Sequence, residues 1–228
     1  CLGKNFSDFK ITKHNYIGDK QHIEFTVKNN KYSFKTSLLG KVQIKNLMMA
    51  AMAAYNSNIK LEKIIKSINK IKSVNGRLEE VVKFKNNSRV ILDYAHTPDA
   101  LKECLDSLTE QFKFNKIAIV FGCGGDRDKP KREIMGKIAN EYCHKIYLTD
   151  DNPRTENPKK IRSQIKKKIN KIKLKEIPSR QLAISRAIQD LGAGEILLVA
   201  GKGHENYQEY SFKKSFSDKK HILKNKKI

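Results

Sequence analysis

The sequence predicts an α/β fold: a mostly parallel sheet flanked by helices, preceded by a smaller region of strands and helices. Three observations carry this expectation. From about residue 78 onward, short apolar runs recur at the spacing of buried strands. Between them lie amphipathic stretches long enough for helices, and strand–helix alternation argues a parallel sheet covered on both faces. Residues 1–37 read differently, as alternating polar and apolar runs broken by turn signals, which is the pattern of antiparallel strands.

The elements follow in order. DFKITKHNYIG, QHIEFTVKN and KYSFKTSLL alternate, with GDK and KNNK as the turns between them. LLGKVQIKNLMMAAMAAYNS gives a Gly turn and an Ala/Met-rich helix from about Lys45 to Tyr55, and NIKLEKIIKSINKI is a second, amphipathic helix. The later strand candidates are LEEVVKF, SRVILDYA, KIAIVFGC, HKIYLTDD, LKEIPS and EILLVAGKG. The helical patterns between them are PDALKECLDSLTEQF, KREIMGKIANEYC, PKKIRSQIKKKINKI and SRQLAISRAIQDLG. In such sheets ligands bind beyond the carboxyl ends of the strands. The loops expected there are DYAHTPD, GCGGDRDK, DDNPRTE and AGKGHE.

Composition narrows the classes of function. Hydrophobic residues make up 39% and charged residues 31% of the 228, a balance that excludes a disordered chain. No apolar run approaches the ~20 residues needed to span a bilayer, no signal peptide opens the chain, and no membrane partner is expected. The net charge of +23 raises a nucleic-acid reading. Against it, only eight of the 47 basic residues are Arg. The Lys residues spread along the chain beside abundant Ile and Asn, as AT-rich codon usage would produce. The densest stretches, 159–175 and the C-terminal tail, keep apolar residues at helical spacing, so their charges read as solvated helix faces. No nucleic-acid partner is expected. The four Cys form no CxxC pair and no His/Cys cluster, so free thiols in a reducing, cytoplasmic setting are expected, and no metal site. The chain begins at Cys1, consistent with a piece of a longer polypeptide.

Each loop has a plain reading beside a functional one. Gly122, Gly124 and Gly125 either make a tight turn or let backbone approach a ligand, and Arg127 pairs either with Asp126 or Asp128 or with that ligand. AGKGHE resembles a phosphate loop only superficially, because no Gly-Lys in the chain is followed by Ser or Thr. Asp93 and His96 sit at a strand end with Thr97 as an expected N-cap and Pro98 in the first turn; they serve the cap, or touch Mg²⁺ or a phosphate. Arg77 in NGRLEE is a hinge residue or a phosphate ligand. Four charged loops on one sheet edge, with Arg for a carboxylate and Glu or Asp for an ammonium, suit a zwitterionic ligand.

In their order, NGRLEEV, LDYAHTPDALK, VFGCGGDRDKPKREIMG, TDDNPRTENP and LLVAGKGHENYQ resemble the Mur ligases, and within them the diaminopimelate-adding MurE branch, from about Asn75 to Gln208. LLGKVQIKNLMMAAMAA resembles the end of that family's central domain, with Gln43 where the family has Asn and Asn46 in keeping with it. The resemblance implies two domains: 1–74 as the last β/α part of the central, ATP-binding domain, and 75–228 as a Rossmann-like C-terminal domain. The UDP-binding domain, the ATP loop and the central domain's metal ligands would lie outside this sequence. The implied activity is ATP-dependent amide formation in peptidoglycan precursor synthesis, by a cytoplasmic monomer. Meso-diaminopimelate would be joined to the D-Glu side-chain carboxylate of UDP-MurNAc-L-Ala-D-Glu through an acyl phosphate.

The resemblance places meso-diaminopimelate on Arg127, Asp151, Asn152, Pro153, Arg154, Gly201 and Glu205. It places ATP near Asn46, Arg77, Asp93 and His96, with Mg²⁺ held mostly outside this sequence, and it assigns no catalytic residue or metal ligand here. These residues alone are expected to bind the amino acid and catalyse nothing. The extra carboxylate that distinguishes diaminopimelate from lysine suits a guanidinium, which favours the former at Arg154. Competing readings are a lysine-adding Mur ligase, a folylpolyglutamate synthetase, a basic nucleic-acid-binding module, and a Rossmann regulator, which lacks its expected G-x-G-x-x-G.

Overall fold

Three antiparallel strands open the described residues, 9–227 of a computed structural model: β1 (Phe9–Ile17), β2 (Lys20–Val27) and β3 (Asn30–Thr36), paired in that order. Strand periodicity does the folding here. Gln21, Ile23, Phe25 and Val27 of β2 are buried while their neighbours are not. Lys28 and Asn29 both take positive φ and join β2 to β3 in a two-residue turn, the twist-compatible way to close a hairpin. Two helices, α1 (Lys41–Asn56) and α2 (Leu61–Ile68), lay Ile44, Leu47, Met48, Ala51, Leu61, Ile64 and Ile68 against that sheet's apolar face. The first helix starts four residues before the expected Lys45, directly after Gly40. Cys1 and the first residues read as strand lie outside the described residues. This region is one compact unit, Cys1–Ser73; the second is Val74–Ile228.

The second unit is built on a six-stranded sheet of order β4-β5-β9-β6-β7-β8. Its strands are β4 (Glu79–Lys83), β5 (Arg89–Asp93), β6 (Ile117–Phe121), β7 (Lys145–Leu148), β8 (Leu174–Glu176) and β9 (Ile196–Ala200). From β5 to β8 all pairings are parallel; β4 is antiparallel to β5. The link from Lys83 to Arg89 is too short for a crossover, which leaves only a hairpin. Every residue of β5, β6 and β9 is buried, as a sheet covered on both faces requires.

Helices α3 (Pro98–Gln111), α4 (Lys131–Tyr142) and α5 (Pro158–Lys166) pack on one another in sequence. Helices α6 (Arg180–Gln189) and α7 (Asp218–Lys224) cover the other face, where Ala183, Ile184, Ala187 and Ile222 join Val90, Leu92, Val120 and Val199 in one core. Thr97 caps α3 as expected, accepting from the Ala100 amide, with Pro98 at the first helical position. Asn157, Ser179 and Ser217 cap α5, α6 and α7. A small hairpin, β10 (Tyr207–Glu209) with β11 (Lys213–Ser215), follows β9 and stands apart from the main sheet. The carboxyl ends of β5, β6, β7 and β9 thus deliver the four charged loops to one edge.

Candidate amino-acid-binding site

The loops after β5, β6, β7 and β9 enclose a cavity of about 860 Å³. Arg127, Asp151, Asn152, Arg154, Gly201 and Glu205 all line it, and so does His96. Pro153 is buried and does not line it; its carbonyl oxygen lies against Gly125 instead. Asp93 and Arg77 stand outside the lining, and Asn46 belongs to the first unit, exposed on α1.

The loop after β7 is fixed from three sides. The Gly125 amide donates to the Asn152 carbonyl at 2.9 Å, tying it to the loop after β6. Asn152 Oδ1 accepts from the Glu209 amide at 3.0 Å, and the Arg154 amide donates to the Glu209 carbonyl at 3.0 Å, tying it to β10. Arg154 takes positive φ, and its guanidinium reaches Gly125 O at 2.8 Å through Nη1 and Glu209 Oε2 at 3.1 Å through Nε. Asp126 accepts from the amide and hydroxyl of Thr155, and Glu156 binds both terminal nitrogens of the fully buried Arg132. Arg127 is exposed and lines the cavity.

Two carboxylates line the same cavity as Arg127 and Arg154. Glu205 Oε2 accepts from Lys202 Nζ at 2.6 Å and Asn152 Nδ2 at 3.0 Å; its Oε1 faces the Tyr94 hydroxyl at 3.5 Å. Burial works against ionising Glu205, but Lys202 and Asn152 outweigh it and hold the carboxyl below its usual range. Asp151 is more deeply set. Burial pushes its carboxyl up, against the pull of Arg180 and Lys202. Its Oδ2 lies 3.8 Å from Nη1 of the fully buried Arg180, and neither atom has a hydrogen-bond partner among the described residues. Arg180 is otherwise held by both oxygens of Asp218 and by the Ala200 carbonyl. Gly201 has φ +112°, and a Cβ there would sit 2.7 Å from Asp151 Oδ2, so no side chain fits between the strand end and that carboxylate.

Asp93 has both oxygens on backbone amides, Leu78 and Ala95, at 2.7 Å each; burial raises its carboxyl, and those two bonds oppose the rise. Arg77 lies over the Tyr94 ring at 4.8 Å, and the Tyr94 ring also meets His96 and His204. Tyr94 therefore joins the Arg77 and His96 side to Glu205. Among the described residues no group of three or more His, Cys, Asp or Glu could hold a metal ion. The three buried cysteines are free, and burial pushes Cys123, in the cavity wall, up to about 12, which leaves it an unreactive thiol.

Sequence reasoning did not find Lys202, Arg180 or Tyr94. The only sequence signal for Lys202 was a Lys between two glycines after a wholly apolar run.

Residues 76–203 match the family described as "Mur ligase, glutamate ligase domain". The UDP-N-acetylmuramoyl-L-alanyl-D-glutamate--2,6-diaminopimelate ligase of Rickettsia bellii (strain RML369-C) is 44% identical over 209 residues, covering 91% of this chain and 43% of that protein. The protein of the same name from Wigglesworthia glossinidia brevipalpis is 43% identical over 195 residues, covering 84% and 38%. A solved structure bearing that ligase name superposes with a TM-score of 0.72 at 32% identity, over 99% of this chain and 46% of the other. The MurC ligase of Thermotoga maritima, at 15% identity and a TM-score of 0.69 over 96% of this chain and 45% of the other, shares the fold. The chain spans less than half the length of the curated relatives it matches. With the family's domain covering more than half of its residues, this chain belongs to the Mur ligases.

Proposed function

We propose that these residues present the amine of meso-diaminopimelate in an ATP-dependent amide ligase. The acceptor would be the D-Glu side-chain carboxylate of UDP-MurNAc-L-Ala-D-Glu, and the setting the cytoplasm, with the protein a monomer. The observation that supports this most is the juxtaposition, in one cavity, of Arg127 and Arg154 with Glu205 and Asp151. A ligand end carrying both a carboxylate and an ammonium matches that arrangement, and lysine lacks the second carboxylate. The relatives' printed names agree with this substrate.

The chemistry follows from orientation. ATP, with Mg²⁺, would transfer its γ-phosphoryl group to the D-Glu side-chain carboxylate, giving an acyl phosphate and ADP, and attack by the amine would form the amide and release phosphate. The residues here grip the amino acid at its far end and leave the other amine free to attack the acyl carbon. Arg77 and His96, both exposed around Tyr94, offer donors suited to phosphate oxygens. Asp93 fits better as the group that fixes the backbone at Leu78 and Ala95.

Calorimetric titration with meso-diaminopimelate and, separately, L-lysine tests the reading. Diaminopimelate is expected to bind the tighter. Arg127→Ala, which removes an exposed cation, is expected to weaken it by roughly ten- to a hundredfold, the worth of a charge-assisted contact. Arg154→Ala should do the same and also loosen the loop it ties to Gly125 and Glu209. Equal binding of the two amino acids would overturn the substrate, and binding of neither would overturn the site.

A further inference from the structure

We infer that Lys202, sealed behind the carboxylate of Glu205, makes the cavity prefer a ligand end carrying both an ammonium and a carboxylate over one carrying an ammonium alone. The inference rests on the amino-acid-binding reading and adds a specificity-determining residue to it.

Lys202 is fully buried, which is rare for a lysine. Gly201 and Gly203, both at positive φ, bend the chain after β9 so that the side chain between them turns inward. Its ammonium lies 2.9 Å from Asn152 Oδ1 and 2.6 Å from Glu205 Oε2, over the Tyr207 ring at 5.2 Å. Asn152 Nδ2 takes the same Glu205 oxygen. Oε2 thereby takes two resident donors, and Oε1, which meets the Tyr94 hydroxyl at 3.5 Å, keeps room for the ligand.

The charge count matters as much as the geometry. Lys202 neutralises Glu205, and Arg180, 3.8 Å away, stands behind Asp151 while paired with Asp218. Of the two carboxylates facing the ligand, Glu205 therefore has a buried cation of its own, while Asp151 shares Arg180 with Asp218. An incoming bare ammonium meets an ion pair of no net charge, with a like charge fixed a few ångströms behind it in a medium that screens poorly. A zwitterionic end meets the same pair but brings its own carboxylate for Arg127 and Arg154. Removing the Lys202 charge unmasks Glu205. A ligand end of net charge +1 gains from that, whereas a zwitterionic end gains at its ammonium and loses at its carboxylate.

The test compares wild type with Lys202→Met and Lys202→Gln, the second retaining a donor without the charge. Each protein is titrated with meso-diaminopimelate and with cadaverine, whose ends each carry an ammonium alone, and its melting temperature is recorded to establish that it folds. The expected result is that the ratio of the two dissociation constants shrinks by about tenfold in both variants. Two results overturn the inference: folded variants that weaken both ligands by the same factor, which would make Lys202 a mere support, or a wild-type ratio in Lys202→Gln. Wild type that binds neither ligand overturns the underlying site reading instead, so the two failures are distinguishable.

Discussion

A Cβ added to Gly125 would overlap the carbonyl oxygen of Pro153 and press on Glu156, both on the loop after β7, while the Gly125 amide already bonds Asn152. The backbone has no room to move without losing that bond. Gly125→Ala is therefore expected to cost about 1–3 kcal/mol of stability, as other forced overpacking does, and to displace Asn152 and Arg154 together. A lowered melting temperature with weakened diaminopimelate binding checks it; unchanged binding would mean that the loop holds its shape without this contact. The sequence left open whether Gly125 served a turn or a ligand, and the structure gives it to the turn and the loop contact. The resemblance put Arg127, Asp151, Asn152, Pro153, Arg154, Gly201 and Glu205 on one ligand, and all of these but Pro153 line one cavity. The groups behind them were not legible, because nothing in a sequence records that a charge is buried: Lys202 and Arg180 look like any other basic residues among 47.

Among elements, the loop after β7 is held to α4 by a single carboxylate. Glu156 accepts from both terminal nitrogens of Arg132 at 3.0 and 2.8 Å and from the Asp126 amide at 2.7 Å, and Arg132 holds its carboxyl down to about 2. A depressed carboxyl adds stability that is fully present above its unfolded value, 4.5, and is lost as the pH falls through about 2. Wild type should therefore melt higher than Glu156→Gln at pH 7, by about 1.5–3 kcal/mol for hydrogen bonds to a charged group. The gap should close between pH 4.5 and 2; a gap independent of pH would assign the effect to shape. The main sheet's strands were legible because β6 and β9 are unbroken apolar runs and β5 centres on Val90, Ile91 and Leu92, and the caps because Thr97-Pro98 carries its own geometry. The hairpin of β10 and β11 was not. Its strands are three residues long, β11 is wholly exposed, and its pairing follows from where Asn152 and Arg154 need partners, not from periodicity.

At the scale of the whole molecule, the chain's two units carry separate cores, one of Phe9, Phe25, Ile44 and Met48 and the other of Val90, Leu92, Val120, Ala183 and Leu197. Every residue lining the amino-acid cavity falls between Tyr94 and Glu205, and so do Lys202 and Arg180 behind it. The cations and carboxylates of the site are paired within the same unit: Lys202 with Glu205, Arg154 with Glu209, Arg180 with Asp218. The net charge of +23, which suggested a polyanion, is thus not the charge that the ligand meets. A segment that contains its own core, its own sheet and all the partners of its buried charges satisfies the conditions for folding alone. Residues 74–228, produced by themselves, are therefore expected to melt cooperatively and to bind meso-diaminopimelate with the affinity of the full 228 residues. Calorimetry on both proteins checks this. A cooperative fold with lost affinity would mean that residues 1–73 contribute to the site, whereas loss of the fold would mean that the second unit's core is not self-sufficient.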